Sequence, residues 1–153
     1  MLKIIVIIDT ICLIALAKIN VLHLLQNLCK HVVITEEIYA EFGNPLPDWI
    51  EIRQVSDKKY QQLLETTLDK GEASAIALAM ELKNVLLVID DLKGSKKAEQ
   101  LGLDITGTLG ILFRMKQMGI LSALKPYFEQ LEIAGFRIMP AIMEVLLKES
   151  GEI

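Results

Sequence analysis

The chain has 153 residues, of which 52% are hydrophobic and 5% are aromatic. This length and composition predict one folded domain, residues 1–153, with a core of aliphatic side chains, and they exclude an intrinsically disordered chain. The net charge of −4 argues against a protein that coats nucleic acid with its whole surface, although it is compatible with a local basic patch. Cys12 and Cys29 have no zinc-binding spacing, and we expect them to be buried, reduced thiols.

The first predicted element is a strand over residues 4–8, a run of β-branched residues typical of a strand buried on both faces. Asp9 follows directly, and Thr10 is predicted to cap a helix over residues 11–18. A signal or membrane segment is the alternative interpretation of this apolar run, but a charge at Asp9 is costly in either. We therefore expect a cytoplasmic protein without a membrane segment.

The middle of the chain alternates apolar runs with turn residues, which predicts alternating helices and strands. Asn20 is predicted to cap a helix that runs to Leu28. Next come a strand over residues 31–35, a helix over 36–42, an edge strand or extended loop over 49–55, a helix over 58–68, a turn over 69–71 and a helix over 72–82.

The second half continues the alternation. Strands are predicted over residues 85–89 and 103–106, and a charged helix over 93–101 lies between them. Thr108 is predicted to cap a helix that runs to Met118, and two further helices are predicted to start at Ser122 and Pro140. Strands that alternate with helices favour a parallel sheet covered on both faces.

Acidic residues follow three of the predicted strands, at the point where each strand ends. In an open parallel sheet, ligands bind beyond the carboxyl ends of the strands, so these acids can meet at one edge. Glu41 lies one helical turn after Glu37, and Glu72 lies in the first turn of its predicted helix, so both can join them. The acids that follow the strands are Asp9, Glu36, Glu37, Asp90 and Asp91.

Several carboxylates at one point repel each other, and some would take up protons in the absence of a cation. Mg²⁺, or Mn²⁺ in its place, relieves that repulsion, because hard cations prefer oxygen ligands. A metal ion held in this way can activate water and neutralise charge on a phosphodiester. The sequence lacks the GxSxG, HExxH and GxxxxGK[ST] motifs of other hydrolases and phosphate-binding loops.

Each candidate also has a structural interpretation. Asp9 could be a helix cap without a catalytic role, although an unpartnered charge in its apolar surroundings is expensive. Glu41 could lie on a solvated helix face, and Glu72 could simply complement a helix dipole. Asp90 and Asp91 are adjacent, and we predict Asp91 as the ligand and Asp90 as a supporting acid or cap.

Basic residues follow the third acidic segment. Lys93, Lys96 and Lys97 are either a solvated helix face or a patch that positions an RNA phosphate beside the acids. Thr10 and Thr108 are predicted caps that could also hydrogen-bond a metal-bound water.

Four segments carry a resemblance to a known family. IIDTICLIAL, VVITEEIYAEFG, LDKGEASAIALA and LLVIDDLKGSKKAEQLGLDITGTLGIL occur in this order within residues 4–116. Together they resemble the PIN-domain family, close to the VapC-type toxins of prokaryotic toxin–antitoxin pairs. The resemblance implies a three-layer α/β/α sandwich with a central parallel sheet, to which this chain adds C-terminal helices over about 120–153.

The resemblance also implies a function and a set of ligands. The function would be a Mg²⁺-dependent endoribonuclease, often a homodimer, that a small antitoxin protein inhibits. Carried over by position, the four family acids fall on Asp9, Glu41, Glu72 and either Asp91 or Asp90.

Two other classes of function remain open. One is a catalytically weak or inactive PIN-like interaction module, which would keep the fold without the chemistry. The other is a phosphate enzyme similar to haloacid dehalogenases or to receiver domains. The dehalogenase-like pattern needs a second Asp two residues after the first, where this chain has Ile11, and a receiver needs an acidic pair where only Asp9 is present.

Overall fold

The computed structural model describes residues 2–153. Within them, one five-stranded, all-parallel sheet has the strand order β3-β2-β1-β4-β5. Helices flank the sheet, which confirms the predicted PIN-like α/β/α sandwich. The strands are β1 (Leu2–Ile8), β2 (Cys29–Thr35), β3 (Ile50–Arg53), β4 (Val85–Val88) and β5 (Asp104–Thr106).

Helices connect the strands and continue beyond β5. Helix α5 packs against the three central strands, because residues 71–79 are all buried and, apart from Glu72, are all small or aliphatic. The helices are α1 (Thr10–Lys18), α2 (Leu25–Leu28), α3 (Glu36–Phe42), α4 (Lys58–Leu64), α5 (Lys70–Glu81), α6 (Leu92–Gln100), α7 (Thr108–Gln117), α8 (Lys125–Ile133) and α9 (Pro140–Glu149).

The core lies at the centre of the sheet. The carboxyl halves of β1, β2 and β4 are fully or almost fully buried, as expected for parallel strands covered on both faces. Cys12 and Cys29 are buried and free, as predicted, and burial raises the pKa of both thiols.

Three predicted caps are wrong. Thr10 and Thr108 are the first residues of α1 and α7 instead of their caps, because Asp9 and Gly107 hold the extended backbone before each helix. Asn20 caps no helix; it has a left-handed backbone, with φ at 57°, in the turn after α1. Helices α1 and α7 therefore begin one residue earlier than predicted, at the threonines that were expected to precede them.

Some element boundaries also differ from the prediction. The predicted turn over residues 69–71 holds the start of α5, since Asp69 caps that helix and Lys70 and Gly71 lie in its first turn. Helix α4 ends at Leu64 instead of residue 68, and α8 starts at Lys125 instead of Ser122, which precedes it in irregular backbone. The region over residues 49–55 contains the edge strand β3, one of the two alternatives predicted for it.

The C-terminal helices are joined by an extended segment. Gly135 ends α8 with φ at 92°, a left-handed conformation that glycine adopts without strain, and α9 begins at Pro140 as predicted. Between residues 2 and 153, no single helix is long and apolar enough to cross a membrane. Within these residues, one pair of helical segments is long and apolar enough when the two are counted together, namely α1 and the helical residues Leu22–Leu28, but the pair is bent by 107°.

Candidate active site

Strand pairing brings the first and last acidic segments to one edge of the sheet. β1 and β4 pair in register, with Ile8 opposite Val88, and the Asp9 backbone N–H donates to the Val88 carbonyl at 2.9 Å. Asp9 and the Asp90–Asp91 pair therefore follow neighbouring strands at the same carboxyl edge. This edge is where an open parallel sheet binds its ligands.

Asp9 is a buried acid. Its relative exposure is 4%, and its side chain does not cap the helix that follows. Burial raises the pKa of Asp9 to about 7, a backbone hydrogen bond at Thr10 opposes this, and the charges of Asp69, Glu41 and Asp91 raise the pKa further. The carboxyl is therefore surrounded by acids and far from ordinary solvation.

Glu72 is the second perturbed acid. Burial raises the pKa of Glu72 to about 8, together with hydrogen bonding to the Asp91 carboxyl and the charges of Asp69 and Asp91. Asp69 and Glu72 also form a reciprocal capping box at the start of α5, in which the Glu72 N–H donates to Asp69 Oδ1 at 2.9 Å. Glu72 thus belongs both to a helix terminus and to the acidic edge.

Glu41 reaches this edge from α3. Its Oε1 accepts a hydrogen bond from the Thr10 hydroxyl at 2.7 Å, which ties α3 to the first turn of α1. The same carboxylate lies against Gly71, where the space for a Cβ is already filled. The glycine in the first turn of α5 therefore lets an acid from another helix approach the start of α5.

The two adjacent aspartates serve different helices. Asp90 accepts hydrogen bonds from the backbone N–H of Thr108 at 2.8 Å and from its hydroxyl at 2.6 Å, so it holds the start of α7. Asp91 caps α6 through Oδ2, which accepts from the Gly94 N–H at 2.8 Å. Asp91 also contacts Glu72, whereas Asp90 contacts Thr108 of α7 and the Cys12 thiol of α1.

The donor chemistry of this edge suits a hard divalent cation. All the side chains are carboxylates, and the pKa values of Asp9 and Glu72 are raised by burial and by neighbouring negative charge, which a cation would offset. Among residues 2–153, however, no three acidic, histidine or cysteine side chains already converge closely enough to form a metal cluster. The assignment of ligands to Asp9, Glu41, Glu72 and Asp91, with Asp90 beside them, stays a prediction.

The predicted basic patch lies on α6. Lys93 and Lys96 are exposed and Lys97 is half-buried, and none of the ion pairs found within residues 2–153 includes them. Because Asp91 caps α6, these ammonium groups are on the helix that leaves the acidic edge. Whether they contact a phosphate stays a prediction.

Sequence reasoning missed Asp69. It was assigned to a turn, but its charge acts on both Asp9 and Glu72. The signal was present, since Asp69 and Glu72 have the spacing of a capping box, an acid or hydroxyl residue followed by Glu three positions later. That pattern would have moved the helix start and added Asp69 to the site.

The comparisons with known proteins agree with this geometry. The DUF3368 family model, described as a PIN domain, matches residues 5–152 and so includes both C-terminal helices. No curated protein matches the chain. PIN domains are generally nucleases, and such nucleases generally use divalent metals. With a family model that covers nearly all of its length, and with a parallel sheet that carries acids at its carboxyl edge, the chain belongs to the PIN-domain family.

Proposed function

We propose that this protein is a Mg²⁺-dependent endoribonuclease that hydrolyses RNA phosphodiesters with metal-activated water. The observation that carries the proposal is the pair of buried acids, Asp9 and Glu72, whose pKa values are raised by burial and by the same neighbours, Asp69 and Asp91. Such a pair is unfavourable as a purely structural feature, because none of the ion pairs found within residues 2–153 joins either carboxyl to a basic side chain. It is reasonable as a site that binds one.

The side chains at this edge have distinct roles in the proposal. Asp9, Glu41, Glu72 and Asp91 would hold the cation, with Asp90 beside them. Bound Mg²⁺ or Mn²⁺ supplies an activated water and neutralises charge on the phosphodiester. Thr10 orients Glu41 through its hydroxyl, and Asp90 fixes α7 against the edge through Thr108.

The direct test is the substitution Asp9→Asn. We expect it to lower Mg²⁺-dependent cleavage of single-stranded RNA by at least about 100-fold, because a ligand and its charge are lost while the shape is kept. The matched control is Asp104→Asn, which removes the same charge from the first residue of the edge strand β5, at its amino end. Cleavage that persists in purified Asp9→Asn protein would overturn the proposal.

We further propose that the protein is the toxin of a type II toxin–antitoxin pair, acts in the cytoplasm, and forms a homodimer. The resemblance to VapC-type toxins supports the first part. Exposed apolar residues on the C-terminal helices, Ile133 at 86% and Val145 at 54%, support an interface with a second copy. Growth arrest on expression, relieved by a small protein encoded beside it, would test the toxin, and light scattering of the purified chain would test the dimer.

A PIN-like interaction module without catalysis is the second candidate. The observation that favours it is that Glu41, Asp90 and Asp91 already accept hydrogen bonds from Thr10, Thr108 and Gly94. Calorimetry with Mn²⁺ separates the two functions. Binding that disappears in Asp9→Asn supports the nuclease, and the absence of any binding to the wild-type protein supports the module.

A further inference from the structure

An apolar groove opens beside the acidic edge, with a volume of about 360 Å³. It lies between α1, the start of α7 and the extended segment that joins α8 to α9. Asp90 and Thr108 form part of its wall, so the groove is continuous with the candidate active site. None of the roles proposed for the acids uses it.

The walls of this groove are unusually apolar for an exposed surface. Ile11 is 54% exposed, Met139 61% and Ile142 46%, although all three line the groove. Contiguous exposed apolar side chains beside a polar rim are a mark of a binding surface.

Two neighbouring residues give the groove its specific chemistry. Phe136 follows the left-handed Gly135, and its N–H donates to the Leu131 carbonyl at 3.0 Å, which fixes its position at the end of α8. Arg137 is exposed, and no hydrogen bond or ion pair between its side chain and another of residues 2–153 is found. It is also the one basic side chain among the described residues that line the groove.

We propose that this groove binds one unpaired nucleotide of a single-stranded RNA, with the base against Phe136 and the adjacent phosphate at Arg137. The proposal rests on the proposed ribonuclease function, because the same strand continues to the acidic edge past Asp90 and Thr108. An aromatic ring beside aliphatic walls suits the face of an unstacked base, and a free guanidinium suits a phosphate. A volume near the lower end of ligand pockets fits one base and excludes a duplex.

The first experiment measures binding without cleavage, in the Asp9→Asn background. Anisotropy of a short fluorescein-labelled RNA of mixed sequence is recorded for Phe136→Leu, which keeps an apolar side chain and removes the aromatic face. We expect affinity to fall roughly 5- to 100-fold, the range for loss of one stacked base. Phe136→Tyr should restore it, and Phe42→Leu, a matched change at the end of α3, should leave it unchanged.

The second experiment locates the nucleotide. RNAs with one abasic position each are titrated against the background protein and against Phe136→Leu. At one position, loss of the base should weaken binding to the background protein. The same loss should not change the affinity of Phe136→Leu, because the contact between that base and the aromatic ring is already removed in this variant. Arg137→Gln should reduce the salt dependence of binding, whereas Lys83→Gln, a charge loss beside the start of β4, should not.

The outcomes separate the groove from the nuclease. Affinity that is insensitive to Phe136 and Arg137, with metal-dependent cleavage intact, would overturn the groove and leave the nuclease standing. Binding that depends on Phe136, together with no RNA cleavage by the protein that retains Asp9, would support the groove and defeat the nuclease. A dimer that Ile142→Glu converts to monomer, together with unchanged RNA binding, would show that the groove contacts a second copy and would also overturn the proposal.

Discussion

Asp9 is the residue at which the requirements of folding and of chemistry conflict. The strand that precedes it is buried because its side chains are aliphatic, and Asp9 continues into that core with 4% of its surface exposed. Charging this carboxyl costs free energy because of burial and because Asp69, Glu41 and Asp91 are close. The cost is part of the apparent stability of the protein without metal, so it can be measured.

We predict that the metal-free protein loses stability as pH rises. Burial and neighbouring acids raise the pKa of Asp9 from 3.8 to about 7, so over this window the folded state keeps a proton that the unfolded chain releases. The free energy of unfolding should therefore fall between about pH 4 and pH 7, and the raised pKa of Glu72 extends this fall to about pH 8. Urea unfolding in EDTA at a series of pH values measures this dependence.

The matched variant for this experiment is Asp9→Asn. At pH 8 without metal it should be more stable than the wild type, by up to about 4 kcal/mol, because each pKa unit is worth about 1.4 kcal/mol. The difference should shrink below pH 4, where both proteins are neutral at this position. A less stable variant at pH 8 would contradict the assignment of Asp9 as an uncompensated buried acid.

Gly71 gives a second prediction for a single residue. Its missing Cβ leaves room for the flexible end of Glu41, so Gly71→Ala should move that carboxylate without disturbing the backbone. We expect thermal stability to be kept or to rise slightly, since alanine is the better helix former, while Mg²⁺-dependent cleavage falls about tenfold or more. Gly110→Ala, where the filled space belongs to the Thr106 side chain, is the comparison. Equal cleavage by both variants and the wild type would contradict the role of Gly71.

At the scale of elements, sequence predicted the strands and helices better than their ends. Continuous aliphatic runs identify β1 and β4 because parallel strands are buried on both faces, and Pro140 marks the start of α9 because proline suits a first helical position. The start of α8 was misplaced because Ser122 has the composition of a cap but lies before irregular backbone. A cap depends on which N–H groups lie near it, and that is set by tertiary packing.

The same limit applies to the site. The acids at strand ends could be grouped from sequence, because parallel strands place their carboxyl ends together. Sequence could not show that Asp90 accepts a hydrogen bond from α7 while Asp91 contacts Glu72. The two residues are identical and adjacent, and they differ only in the direction in which the folded backbone points each side chain. Nor did it separate a turn at Lys70 and Gly71 from the first turn of a helix.

Helix α5 provides a prediction at the element scale. Asp69 caps this helix through the Glu72 N–H, and its charge also acts on Asp9 and Glu72. Asp69→Ala should cost about 1 kcal/mol of stability because the cap is lost, whereas Asp69→Asn should cost much less because an amide oxygen can still accept the hydrogen bond. Both should lower the pKa of Glu72, which an NMR titration of its carboxyl carbon measures.

A larger loss for Asp69→Asn than for Asp69→Ala would contradict the capping role. An unchanged pKa of Glu72 in both variants would contradict the electrostatic coupling. The two readouts are independent, so a structural role and a role in the acidic edge can be distinguished in the same proteins.

For the whole molecule, the C-terminal helices are joined to the α/β core by the last residues of the chain. The Glu152 carboxylate accepts hydrogen bonds from the N–H groups of Leu124 and Lys125 at the start of α8, and it pairs with Lys116 of α7 at 3.1 Å. The family match extends to residue 152, so this contact lies within the family unit. It also holds α8 beside α7, and both helices contribute to the apolar groove.

We predict that Glu152→Gln destabilises the protein at neutral pH and not in strong acid. Burial opposes the charge, but donors from Lys125, Leu124, Ser150 and Lys116 prevail and lower the pKa of Glu152 from 4.5 to about 2. A lowered pKa gives stability that is present above about pH 4.5 and is lost as pH falls towards 2. The loss at pH 7 should be about 1 kcal/mol, since the group lies near the surface. Urea unfolding of Glu152→Gln beside the exposed control Glu149→Gln measures it, and an equal loss at pH 7 and pH 2 would show that packing, not charge, holds the C-terminal helices in place.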